Sequence, residues 1–196
     1  FWGTMNSNEK IRNYFKTFFR ITTLTISFPI ALATKVIDTE RSHRSGAELV
    51  AIFPGIFGEY LRSGFYKLTL KSFGDDCCIS FGTTIGRNAT IGSRVYVGSY
   101  SIISNANIGD DALLASRISV ISGMKTHGFS RRDVPIREQE GDCQTISIGK
   151  GAWIGEGAII GADVGEGTII GAGSLVTKPI SDWMIAVGSP AEVVAE

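Results

Sequence analysis

Residues 73–103 read FGDDCCISFGTTIGRNATIGSRVYVGSYSII, and within them Phe73, Ile79, Ile85, Ile91, Val97 and Ile103 recur every six positions. After a five-residue step the phase resumes at Ile108, Leu114 and Val120. It returns at Ile148, Ile154 and Ile160, slips to four, and continues at Val164, Ile170 and Val176. Glycine follows the aliphatic residue directly in Ile85-Gly86, Ile91-Gly92, Val97-Gly98, Ile108-Gly109, Ile148-Gly149 and Ile154-Gly155. Neither a helical 3.6 period nor strand alternation produces a six. A short strand plus a bend does. Each six-residue unit therefore predicts one face and one corner of a triangular prism, with the aliphatic residue inside and a small residue relieving the bend. Three units close a coil of about 18 residues, and the in-phase positions make about five coils. One coil cannot bury its own aliphatic triplet, so stacking must supply the core.

The expected fold class is mainly β: a parallel β-helix over residues 73–196 with an extruded loop at 122–147, behind a short α-helical segment at 1–72. Composition agrees with a folded chain. Of 196 residues, 43% are apolar and 19% charged, which excludes wholesale disorder. Glycine, at 24 residues, is about 12% against an average near 7%. Lys plus Arg and Asp plus Glu both number 19, so no basic excess supports nucleic-acid binding. The three cysteines, Cys77, Cys78 and Cys143, are odd in number and two are adjacent, a poor disulfide framework. They read as buried or half-buried free thiols in a cytoplasmic protein.

The N-terminal segment is less determinate. Phe1 to Thr4 precede Met5 and are left out of the fold reasoning. Lys10, Arg12, Lys16 and Arg20 interleave with Ile11, Tyr14, Phe15, Phe18 and Phe19, and an uncharged run extends from Ile21 to Thr34. Fourteen residues at about 1.5 Å each reach roughly 21 Å, short of a ~30 Å hydrocarbon core. Three readings stand open: a buried or subunit-contacting helix, a peripheral contact of residues 10–37 with the inner face of the membrane, and a signal peptide ending near Ala31-Leu32-Ala33. The polar stretch Asp38 to Gly46 reads as a linker with His43 solvated in it. Pro54-Gly55 divides the segment from Ala47 to Tyr66 into two short helical turns.

The hexads Ile148 to Ile159, the run Ile170-Gly171-Ala172-Gly173-Ser174-Leu175-Val176-Thr177-Lys178 and the closing Val187-Gly188-Ser189-Pro190-Ala191 resemble the hexapeptide-repeat acyltransferases. Pro54 to Arg62 and Ile79 to Thr83 further resemble acetyltransferases encoded with exopolysaccharide, capsule and O-antigen synthesis. The resemblance implies a left-handed coil, a homotrimer, and acetyl-CoA bound in a groove between subunits. It implies an acceptor that is a glycan or sugar, free or lipid-linked. It also selects Trp153, Gly155, Ala172, Thr177 and Lys178 for the coenzyme, with Trp153 alternatively a contact between subunits.

Only two histidines are present, too few for the three-His zinc of a β-helical carbonic anhydrase, so no metal is expected. His127 stands at the start of the one long interruption of the repeat, where the family's loop carries its catalytic histidine. The resemblance therefore makes His127 the general base that takes a proton from the acceptor hydroxyl as it attacks the thioester. Asp133, Glu138, Glu140 and Asp142 are the loop carboxylates available to orient it, and spacing does not choose among them. Arg131 and Arg132 either contact the coenzyme's phosphates or an acidic sugar, or are a solvated pair. Arg117 occupies a hexad position where simple-sugar acetyltransferases carry Asn, which suits an anionic or larger acceptor. Two other functions fit the same residues: acylation of an antibiotic or another small hydroxyl or amine, and a β-helical scaffold without catalysis.

Overall fold

The structure is a computed structural model that describes residues 7–196, with side chains from Tyr14 onward apart from Lys16. The expectations for Phe1 to Thr4 and for the Lys10, Arg12 and Lys16 side chains lie outside the described residues. From Ser72 the chain winds through two- and three-residue strands that stack as three parallel sheets, the faces of a prism. Face A stacks Ser72–Phe73, Thr90–Ile91, Ala106–Ile108 and Ile146–Ile148, and single bridges extend it through Val164 to Ile180. Face B stacks Cys78–Ile79, Tyr96–Val97, Leu113–Leu114, Trp153–Ile154, Ile169–Ile170 and Ile185–Val187. The strand Glu192–Ala195 turns back antiparallel on its last rung. Face C stacks Thr84–Ile85, Ile102–Ile103, Ser119–Val120, Ile159–Ile160 and Leu175–Val176.

Every in-phase residue of the six-residue pattern is buried in one continuous core. A second four-residue slip, from Val176 to Ile180, adds Ile180 and Ala186 to that column, so the prism has about six coils and the periodic count of about five fell short by a partial coil. The three corners differ. At the A–B corner a left-handed residue always falls three positions past the inward aliphatic: Asp76, Arg94, Asp111, Gly151, Gly167 and Trp183. The B–C corner repeats this at Gly82, Tyr100, Arg117, Gly157 and Gly173. No residue of the C–A corner between Gly86 and Gly92 or between Ser104 and Gly109 has positive φ, and every departure from the period falls at that corner.

Parallel edge strands present unpaired backbone groups, which must be covered. Here α1 (Ser7–Ile37), α2 (Glu40–Ala51) and α3 (Gly55–Thr69) cover the first coil. Each face receives one nitrogen donor. Lys67 Nζ donates to the Phe73 carbonyl on face A at 2.9 Å, and Arg62 Nε to the Ile79 carbonyl on face B at 2.7 Å. On face C, His43 Nε2 lies 3.0 Å from the Ile85 carbonyl while the Ile85 amide donates to the Tyr66 hydroxyl at 2.9 Å. Burial pushes His43 and Arg62 below their usual pKa ranges and raises the Tyr66 phenol. Arg62 also donates through Nη1 to the Phe53 carbonyl at 2.7 Å, closing the C-terminal end of α2.

Three expectations are corrected by this cap. The stretch from Asp38 to Gly46 is not a linker: Thr39 and Ser42 form a reciprocal capping box that starts α2 at Glu40. His43 is consequently one turn into a helix and buried, and the turns around Pro54-Gly55 are helices of 12 and 15 residues. Helix α1 also outruns the fourteen uncharged residues. It continues through Pro29, and Thr17–Ile37 forms 21 residues long and apolar enough, by length and composition, to cross a membrane. The cysteines are free, with Cys77 and Cys78 half-buried and their thiols raised by burial; Cys143, against expectation, is exposed because it lies on the extruded arm.

Candidate active site

The interruption of the repeat folds as an arm. It leaves face C after Val120 and returns to face A at Ile146, with its two limbs joined by amide bonds from Gln144 to the Ser122 carbonyl (2.9 Å) and Asp142 to the Lys125 carbonyl (2.7 Å). The tip is braced by Gln139, whose Nε2 donates to the Arg131 and Val134 carbonyls at 2.7 and 2.9 Å and whose Oε1 accepts from the Arg131 amide. His127 sits on the outgoing limb with its ring exposed and the Gly141 backbone packed against its amide. An imidazole so presented is a proton acceptor open to a substrate hydroxyl.

Among the described residues none of the four loop carboxylates bonds to His127. Asp133 pairs with Arg131 at 2.5 Å, which holds its carboxyl below the usual range; Glu138 meets Arg137 at 3.3 Å, and Asp142 accepts from Gln144 Nε2 at 2.9 Å. The arm is seated at its root. Met124 packs over Gly161, where a Cβ would stand 2.5 Å from its Sδ, so a side chain at 161 would push the Met124 thioether out of its seat. Gly161 in turn donates its amide to the Val176 carbonyl, which places half-buried Thr177 and exposed Lys178 one coil beyond the root at the same C–A corner.

The remaining sequence-predicted residues gather at the opposite edge of face C. Trp153 points outward from face B, 49% exposed, in register with Leu113 and Ile169. Gly155 and Ala172 stack there in successive coils, the Gly155 amide donating to Ile170 O at 2.7 Å; a Cβ on Gly155 would lie 2.5 Å from the Ala172 nitrogen. Arg117 stands at the same corner with φ 60°, and its Nη2 donates to Glu156 Oε1 at 2.6 Å. One chain thus holds two groups: His127, Thr177 and Lys178 at the C–A corner, and Trp153, Gly155, Ala172 and Arg117 at or near the B–C corner. A rung of five residues, roughly 15 Å, separates them.

The small residues let a linear chain lie close against the wall, and Lys178 is a point charge suited to a phosphate. Sequence reasoning missed Glu156, Gln139 and Met124. The stacking register, which puts Glu156 one coil above Arg117, was a signal for the first; no local pattern marked the other two.

The family described as the hexapeptide repeat of succinyl-transferase matches residues 72–99, 82–120 and 145–178. No curated protein matches the sequence. Among solved structures, a point mutant of AntD, an N-acyltransferase from Bacillus cereus in complex with dTDP and coenzyme A, is 26% identical over 64% of this chain and 72% of its own, with a TM-score of 0.57. Two others share the fold at a TM-score of 0.67. A hexapeptide-repeat containing acetyltransferase from Vibrio cholerae is 20% identical, covering 80% of this chain and 91% of its own. Galactoside acetyltransferase in complex with coenzyme A is 24% identical, with 80% and 81% covered. Its stacked hexads thus make this chain a hexapeptide-repeat β-solenoid, similar in fold and sequence to CoA-binding acyltransferases built on the same repeat.

Proposed function

We propose that this chain is a CoA-dependent acyltransferase with a sugar acceptor, and that it moves an acetyl group from acetyl-CoA to a hydroxyl of a cell-surface polysaccharide precursor. The observation that carries the reading is the exposed imidazole of His127 on the arm of an otherwise uninterrupted solenoid. His127 takes the hydroxyl proton as the oxygen attacks the thioester carbon. The C–S bond breaks, and the proton passes to the departing thiolate, giving ester and free CoA. A backbone amide at a coil corner would steady the oxyanion.

The two residue groups meet when copies assemble. In a homotrimer the arm of one copy would lie against the B–C corner of its neighbour, bringing His127 to Arg117 and the Trp153–Gly155–Ala172 wall. A second reading, N-acylation of a nucleotide-linked amino sugar, is favoured by the likeness to the N-acyltransferase bound to dTDP and coenzyme A.

Free-thiol release from acetyl-CoA separates these readings. Turnover stimulated by polysaccharide fragments or hydroxyl sugars, and lost in His127→Ala, supports the first. Stimulation by nucleotide-linked amino sugars alone supports the second. Absence of both turnover and acetyl-CoA binding makes the chain a scaffold.

A further inference from the structure

Helix α1 is polar inside and apolar outside. The side it turns to α3 carries Thr23, Ser27, Ala31 and Thr34, all buried. Their hydroxyls are satisfied locally: Thr23 Oγ1 donates to the Phe19 carbonyl at 2.6 Å, and Ser27 Oγ to the Thr23 and Leu61 carbonyls at 2.7 and 3.0 Å. Gly64 of α3 allows the close approach, since a Cβ there would meet Ser27 Oγ at 3.0 Å. Small residues and self-satisfied hydroxyls at a helix contact are the packing used where the surroundings are hydrocarbon. The opposite side exposes Phe15, Phe18, Ile21, Phe28, Leu32 and Val36. Ile56, exposed at the start of α3, lines the same cleft as Leu24, and Ile52 and Phe53 in the turn just before it are exposed as well.

Charge identifies what covers this face. Between residues 10 and 37 the sequence has five cations, Lys10, Arg12, Lys16, Arg20 and Lys35, and no acid. Arg20 is shared with Asp75 and Asp76, at 4.0 and 3.7 Å, so it rests against the first coil of the prism, while Lys35 is exposed at the other end. Four of the cations, Lys10 to Arg20, gather at the N-terminal end of this face among Phe15 and Phe18, Lys35 stands at the other end, and the run from Ile21 to Thr34 between them is uncharged. That is the complement of a hydrocarbon layer bordered by anionic headgroups.

We propose that α1 lies in the plane of an anionic membrane leaflet, its outer face and the Ile52–Ile56 turn dipping into the acyl chains, and so fixes the prism to the surface. The helix lies flat because its inner side is committed to α3 and α2 from Phe19 to Thr34; a spanning helix would have to give up those contacts. Attachment of this kind does not depend on which acceptor the arm serves.

The test is co-sedimentation of the whole chain with vesicles of phosphatidylcholine alone or mixed with phosphatidylglycerol, for wild type and a Phe28→Asp/Leu32→Asp variant. Phe28 and Leu32 are 55% and 50% exposed, so the variant loses little internal packing; circular dichroism and the urea midpoint check this. Wild type should pellet with the mixed vesicles, bind phosphatidylcholine weakly, and be released by alkaline carbonate. The variant's partition should fall by a factor of about ten or more for each buried side chain lost. Wild type remaining in the supernatant, or a variant that pellets equally, overturns the proposal. Resistance to carbonate overturns the in-plane placement in favour of a spanning helix. A lipid-free wild type that is larger than the variant by light scattering makes the face a contact between copies instead.

Discussion

Replacing Arg62 by leucine isolates what the helical cap contributes. The side chain is fully buried and makes two short bonds, to the Ile79 and Phe53 carbonyls, both at 2.7 Å; two more, to Val50 and Ala51, are 3.4 Å and contribute little. Leucine leaves the buried Ile79 carbonyl without a donor, at about 1–3 kcal/mol, and the half-buried Phe53 carbonyl at the lower end of that range. It also frees the fold from a desolvated cation whose Nη2 has no partner, which offsets part of the loss. The net expectation is a destabilisation of about 2 kcal/mol, or roughly 4–8 °C in Tm for a chain of this length. Urea denaturation followed by circular dichroism measures it. The control is Arg94→Ala, which removes an exposed pair with Asp111 and should leave the midpoint in place. A loss below about 1 kcal/mol in Arg62→Leu would refute the idea that this guanidinium closes the edge of face B.

Four further outcomes are expected. His127→Ala should lower kcat for thiol release by about 10²–10⁴ with an unchanged urea midpoint, since the ring is exposed. Burial lowers the pKa of His43, so the folded state resists its protonation; its contribution to stability is full above the unfolded value near 6.5 and is lost as pH falls through 6.5 toward the folded pKa. Urea midpoints between about pH 8 and 5 should show that decline, and His43→Gln should flatten it. Gly155→Val should cost about 1–3 kcal/mol and weaken acetyl-CoA binding by calorimetry, because the added Cβ meets the Ala172 nitrogen. Its control, Gly151→Ala, meets no atom within 4 Å and should cost only the left-handed backbone penalty, about 1 kcal/mol. Arg117→Ala breaks only an exposed pair with Glu156, so it should spare the midpoint while raising the acceptor KM.

The prism was legible because its core obeys one rule. A residue that must point inward every six positions leaves a trace that no other architecture imitates, and each such residue, from Phe73 to Val176, is buried. The cap was not legible for the opposite reason. Its informative residues, His43 and Arg62, face backbone carbonyls of strands 42 and 17 positions along the chain, so nothing in their own neighbourhood marks them. His43 looked solvated among Glu40, Arg41 and Arg44, and only the open edge at Ile85 explains its burial. The arm was visible as a break in the period, and His127 with it. The partner of Arg117 was not, since a corner residue is met from the next coil: Glu156 lies 39 positions beyond it.

Two corners of the prism hold a strict spacing, whereas the third takes five residues between Ile103 and Ile108, four between Ile160 and Val164, and the whole arm between Val120 and Ile148. That third corner behaves as an expansion joint. Residues inserted or deleted there leave the stacked rungs on either side in register, as the paired strands Ala106–Ile108 and Ile146–Ile148 show across the arm itself. An arm of another length therefore fits the same joint, while the load of holding the solenoid together stays on the two corners whose spacing is constant along this chain.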